Sequence, residues 1–154
     1  MTRTYETDIE KIRELLEKSL RDISWTADIA PNWDAFRAPA IDGVLMAPSA
    51  RPLSTISMGE FIERMTSQRD DGSLKSLEES PLSHHIRVFG NIAIAMMSFE
   101  ARVNGGDPFR GANAFLLAKD GEEWHILGIT WDNETSDRPL PEELRSGGEH
   151  QNGR

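Results

Sequence analysis

The chain has 154 residues, 26 acidic side chains against 17 basic ones, a formal charge of −9 and no cysteine. The negative field repels phosphate backbones and the Lys and Arg residues are scattered, which argues against nucleic acid as a partner. The missing cysteines remove disulfides, thiol nucleophiles and thiolate-bound metal. No stretch approaches the ~20 apolar residues of a membrane span and the start holds no signal-peptide block, so no membrane contact is expected and the expected setting is cytoplasmic.

The length suits one domain with its own core. From Thr7 to Ile23, apolar residues at Ile9, Ile12, Leu16, Leu20 and Ile23 follow a helical spacing, and Thr7 with Glu10 reads as a capping box. The opposite face mixes acids and bases, which reads as a solvated surface. A short second helix is expected over Asn32 to Arg37, with Asn32 as its cap and Trp33 and Phe36 on one face. Pro39 ends it, and Ile41 to Ala47 reads as a strand stopped by Pro48. A third helix begins at Ser57, whose capping box with Glu60 directs Met58, Phe61, Ile62 and Met65 inward, and Asp70-Asp71-Gly72 closes it.

From Ser83 onward the period becomes strand-like. His84 to Phe89, Ile92 to Val103, Gly111 to Lys119 and Trp124 to Asp132 are joined by turns at Gly90-Asn91, Gly105-Gly106 and Asp120-Gly121, an antiparallel meander. Helices first and sheet afterwards give an α+β fold. The domain is placed at residues 1–137, and residues 138–154 read as a polar, frayed tail.

Ile92 to Met97 is apolar on both strand parities, so the sheet has two dry faces. The next strand agrees: Asn113, Phe115 and Leu117 lie on one parity, and Ala112, Ala114, Leu116 and Ala118 form a flat apolar row on the other. Helices can cover one face; the second is expected to pair with another copy of the chain in a homodimer.

The order of elements, the segment Asp42 to Pro48, and above all the Phe-Leu-Leu-x-Lys-Asp-Gly-x-x-Trp-x-Ile pattern at Phe115 to Ile126 resemble the nuclear transport factor 2-like superfamily, in its SnoaL-like and ketosteroid-isomerase-like branch. The resemblance spans residues 7–134. It implies a cone-like curved antiparallel sheet with three N-terminal helices around a pocket, a cystatin-like roll, commonly dimerised through the sheet. Isomerase-type members carry a carboxylate before a proline in the first strand; here Ala47 precedes Pro48, so that base is missing. The family position for an oxyanion donor falls on Asn113, whose carboxamide can donate hydrogen bonds. The phenol of such sites has no counterpart, because Tyr5 precedes the first helix.

The candidate ligand-binding residues are Trp33, Phe36, Met46, His85, Asn113, Phe115 and Trp131. Ordinary core packing explains the apolar members equally well. Asn113 sits on an apolar strand where an unpaired amide would cost ~1 to 3 kcal/mol, so it needs either a pocket ligand or a structural hydrogen bond. His84 and His85 point to opposite faces, and His85 is the one assigned to the pocket. Trp131 shares a strand parity with Leu127 and Ile129. No metal is expected, since the histidines lack chelating spacing, and no cofactor is implied. These residues suit a domain that binds a small, largely apolar or aromatic molecule without evident catalysis. Two alternatives stand beside it: a cyclase, dehydratase or hydrolase using Asn113 with His85 or Asp42 as proton carrier, and an accessory domain for a protein partner.

Overall fold

The computed structural model describes residues 4–145 and the two-residue strand 149–150. The apolar stripe Ile9, Ile12, Leu16 and Leu20 is buried along α1 (Glu6–Ile23). This helix starts with Tyr5 at the capping position and no side-chain cap, so the Thr7–Glu10 box is not made. Its first turn is held from outside instead. The Tyr5 hydroxyl accepts the Gly90 N–H at 3.0 Å, and buried Asp8 accepts from Lys119 Nζ at 3.0 Å and Trp124 Nε1 at 3.1 Å. Asn32 caps α2 (Trp33–Arg37) by accepting from the Ala35 N–H, and the Ser57–Glu60 capping box starts α3 (Met58–Asp70).

Six strands form one curved sheet that does not close: β1 (Ala40–Ala47), β2 (Leu77–Phe89), β3 (Ile92–Val103), β4 (Phe109–Asp120), β5 (Glu123–Asn133) and β6 (Glu149–His150), in the order β1-β5-β4-β3-β2-β6. The meander β2 to β5 is antiparallel. The whole sheet is mixed, a correction to the expectation of a purely antiparallel one: β1 runs parallel to β5 and β6 parallel to β2. The whole segment from α3 through β4 returns the chain from β1 to β5, the long connection that a parallel pair requires.

Two irregularities in the meander decide which side chains face which way. In β2 the register slips between Pro81 and Ser83, leaving Leu82 as an extra residue; in β5 it slips opposite Leu116 and Leu117, leaving Leu127 extra. Each bulge exchanges the inward and outward parities on its two sides. Thus Leu77 and Glu79 face the helices before the first bulge, and His84, Ile86 and Val88 after it. In β5 Trp124 and Ile126 share their face with Ile129 and Trp131, and Leu127 does not belong to that row.

The β2 strand begins at Leu77, six residues before the expected change of period at Ser83. Pro81 is accommodated because, among the described residues, no strand pairs with the outer edge of β2 at that point. The chain after Asp137 is not a loose tail where it is described. Leu140 and Leu144 are buried, and Ser83 Oγ donates to the Glu143 carbonyl at 2.8 Å. The expected fraying at Ser146 to Gly148 and Gln151 to Gly153 lies outside the described residues. Among the described residues no helix is long and apolar enough to cross a membrane.

The Asp8 cluster ties α1 to the β4–β5 turn with an ion pair whose side chains are 12% and 10% exposed. Removing one partner strands a desolvated ammonium, so Asp8→Ala is expected to lower unfolding free energy by about 3 kcal/mol, read from urea denaturation at neutral pH.

Candidate functional site

The helices touch only part of the inner sheet face, and a cavity of 370 Å³ remains between them and the strands. That is within the range of small-molecule sites. Leu20 and Ile23 from α1, Phe36 from α2, and Met58, Phe61 and Met65 from α3 form its roof. Its floor comes from Met46 on β1, Phe99 and Val103 on β3, and Phe115 on β4, with Ile129 and Trp131 on β5. Aromatic rings brace one wall: Phe36 stacks on Phe61 at 5.8 Å, and Phe61 meets Trp131 edge-on at 5.8 Å. Gly111 shapes the floor, since a Cβ there would lie 2.7 Å from Phe99 Cζ and 2.5 Å from the Asp132 carbonyl.

Phe36, Met46, Asn113, Phe115 and Trp131 all line this cavity. Trp33 does not: it packs behind the wall, against Trp25, Phe36 and Phe61, and its role is support. His85 is displaced outright. The Leu82 bulge turns it to the outer face, where it borders a second groove, while buried His84 takes the inward position opposite Met97. Asp42, the other proposed proton carrier, is exposed near the start of β1 and is not part of the cavity wall.

Asn113 lies between Met97 and Trp131 in neighbouring strands, and its carboxamide makes no hydrogen bond among the described residues. The alternative of a structural hydrogen bond is therefore not realised. An amide with open donors in an apolar hollow is a ready contact for a ligand oxygen.

The sequence reading missed Glu79. It lies on the inner face of β2, lines the cavity, and has no hydrogen bond or ion pair to its carboxylate among the described residues. Burial pushes its carboxyl up from 4.5 to about 7. Among the described residues no Lys, Arg or His lines the cavity, so none of them offsets the desolvation of the ionised form. The strand-like period reads from Ser83 onward, and Leu77-Glu78-Glu79-Ser80 shows no apolar alternation that would extend a strand back across Pro81. Among the described residues, no group of three His, Asp or Glu is placed to hold a metal ion.

The outer groove is larger, 620 Å³, but more open, and it is bordered by Leu45, Ile94, Met96 and Leu116 with His85 and Arg87 at one side. Size alone would favour it as a ligand site. Enclosure and two unpartnered polar groups favour the inner cavity, and these are what give a small ligand orientation.

A half-open cone of mixed sheet with helices over an apolar cavity defines a class of small α+β domain. No family model matches the chain, and a search of curated proteins finds no relative. Solved structures do match. A nuclear transport factor 2-like protein of unknown function from Pseudomonas putida KT2440 superposes with a TM-score of 0.66 at 11% identity, over 94% of this chain and 99% of that one. A proposed scytalone dehydratase from Novosphingobium aromaticivorans DSM 12444 gives 0.66 at 11% identity over 100% and 99%. Nuclear transport factor 2 from Cryptosporidium parvum gives 0.63 at 9% identity over 81% and 93%. The chain has the nuclear transport factor 2-like fold, the one its sequence resemblance implied.

The raised Glu79 pKa has a consequence for stability. The folded state holds this proton more tightly than the unfolded chain, so stability falls as pH rises from about 4.5 to about 7 and the penalty is complete above that. Glu79→Gln is expected to stabilise the fold by up to about 3 kcal/mol at pH 8 and to make little difference below about pH 4.5, measured by urea denaturation across that range.

Proposed function

We propose that this domain binds a small, largely apolar or aromatic molecule in the cone cavity and works as a homodimer paired through the outer sheet face. The observation that carries the first part is the half-open apolar hollow into which Asn113 and Glu79 turn polar groups that make no hydrogen bond among the described residues. A cavity that served only packing would be filled by side chains, since interiors are close-packed and apolar voids of this size destabilise a fold.

The second part rests on the outer face. Ile92, Ile94 and Leu116 are 60%, 58% and 52% exposed there, alongside Met96 and Ala114. A contiguous apolar patch on a flat sheet is a surface that a monomer rarely keeps, and a self-complementary pairing of two such faces buries it.

Acid–base catalysis of the cyclase, dehydratase or hydrolase kind is favoured by one observation, the Glu79 carboxyl poised near neutrality. In that reading Glu79 replaces His85 and Asp42 as the proton carrier. The dehydratase description of one structural neighbour is compatible with it and carries no residue-level support.

Two measurements check these proposals. A fragment screen by ligand-induced melting shift is expected to yield aromatic binders that raise Tm in the native chain and leave Ala40→Phe, which fills the cavity from β1, unchanged; equal shifts in both would contradict cavity binding. In sedimentation at micromolar concentration the native chain is expected to run as a dimer and Leu116→Lys as a monomer, and a monomeric native chain would overturn the pairing.

A further inference from the structure

Among the described residues the inner cavity is lined by one titratable side chain, Glu79, and α1, α2, α3, β1, β3, β4 and β5 bring no second charged side chain to its lining. Three features surround that carboxylate. First, Glu79 stands in a row across the sheet with Ala101 of β3 and Phe109 of β4. The small methyl of Ala101 leaves the floor low between a carboxylate and an aromatic ring. Second, the last turn of α1 borders the same end: Ser19, Leu20 and Ile23 line the cavity, and Ser24 Oγ accepts the Glu79 backbone N–H at 3.0 Å. The carbonyls of Leu20, Arg21 and Asp22 in this turn are already taken up by Ser24 Oγ, Ser24 N–H and Asn32 N–H, so the turn brings no basic group and only a weak negative dipole to the site. Arg21, the basic residue of that turn, is exposed and not part of the lining. Third, among the described residues no basic side chain lines the cavity to neutralise an anionic ligand.

A carboxylate and an aromatic ring are the elements of an ammonium site, in which an ion pair and cation–π attraction act together, here at the mouth of the cavity, where Phe109 is 36% exposed. They disfavour a carboxylate or phosphate, which would meet like charge without compensation.

Glu79 and Asn113 also sit apart. Their partners on β3 are Ala101 and Met97, and they lie on opposite sides of that strand. At ~3.3 Å per residue and ~4.8 Å per strand their Cα atoms are about 16 Å apart, too far for both side chains to act on neighbouring atoms of one small group. They suit the two ends of an elongated molecule.

We propose that the cavity recognises a lipophilic amine, its ammonium held by the Glu79 carboxylate beside Phe109 and its far end carrying a hydrogen-bond acceptor for Asn113. This deepens the cavity-binding proposal above and rests on it.

The test uses four probes of similar size with the full chain at pH 8: tyramine, phenethylamine, phenethyl alcohol and hydrocinnamate, measured by titration calorimetry and melting shift. Phenethylamine is expected to bind at least tenfold more tightly than the alcohol, and hydrocinnamate more weakly than either. Tyramine is expected to exceed phenethylamine several-fold, a gain lost in Asn113→Leu. Between pH 6 and pH 8 the amine affinity is expected to rise about tenfold as Glu79, titrating at about 7, ionises. In Glu79→Gln, a variant expected to fold at least as well as the native chain, amine and alcohol become equal. Equal binding of amine and alcohol by the native chain, or an amine preference that survives Glu79→Gln, overturns the amine assignment and leaves cavity binding intact. A tyramine gain that is absent, or that persists in Asn113→Leu, overturns the assignment of the far end. Failure of all four probes, together with no hit in the fragment screen, overturns both readings.

Discussion

The two single-residue bulges in the meander, at Leu82 in β2 and at Leu127 in β5, are the constraint on which the site depends. A regular strand shows every second side chain to one face, so one extra residue changes the face of everything beyond it. Without the slip in β2, a chain that buries Ile86 and Val88 would send Glu79 outward. With it, Glu79 shares the inner face with Ile86 and Val88, while His85, next to Ile86, stays on the other face. The slip in β5 lets Trp124 and Ile126 pack under α1 while Ile129 and Trp131 still face inward further along the strand. Bulges also sharpen local twist, in keeping with a sheet that curves around a hollow without closing.

Two carboxylates on the inner side of the same sheet show how partners decide a role. Asp8 is buried with an ammonium and an indole N–H on its oxygen, and it fastens α1 to the end of the meander. Glu79 is also largely withdrawn from water, but among the described residues no donor reaches its carboxylate, which faces the cavity. An unpaired carboxyl in such a place opposes folding at neutral pH, which makes it a poor structural device and a good receptor for something brought from outside. Asn113 repeats the pattern in neutral form. Neither Asn113 nor Glu79 has a side-chain hydrogen bond among the described residues, and both line the one cavity.

The sheet's two apolar faces are treated differently. The inner one is only partly covered, by α1 over the middle of β2 and by the aromatic and methionine side chains of α3 further along, and the gap between these roofs is the cavity. Methionine and phenylalanine suit such a roof because they adapt to an irregular filling. The outer face has no helix over it among the described residues, and its exposed Ile94, Met96 and Leu116 form a continuous surface. Burying that surface against a second copy would also stiffen the strands that form the cavity floor.

Much of the architecture was legible in the sequence. The stripe from Ile9 to Leu20, the caps at Asn32 and Ser57, the turns at Gly90 and Gly121 and the double-sided apolar run of β3 are local patterns, and local backbone and side-chain preferences account for them. Phe36, Met46, Asn113, Phe115 and Trp131 reach the cavity as the alternation and the family resemblance implied. The parity of β2 and the start of that strand were not legible, because a bulge leaves no dependable mark on composition and the polar run Glu78 to Ser80 ahead of Pro81 carries no apolar alternation. The parallel seat of β1 on β5 and the burial of Leu140 and Leu144 likewise join residues far apart in the chain. Sequence alone determined most of the helix and strand segments and that both sheet faces are apolar; tertiary structure alone decided that Glu79 enters the hollow, because register is set between strands and not within one.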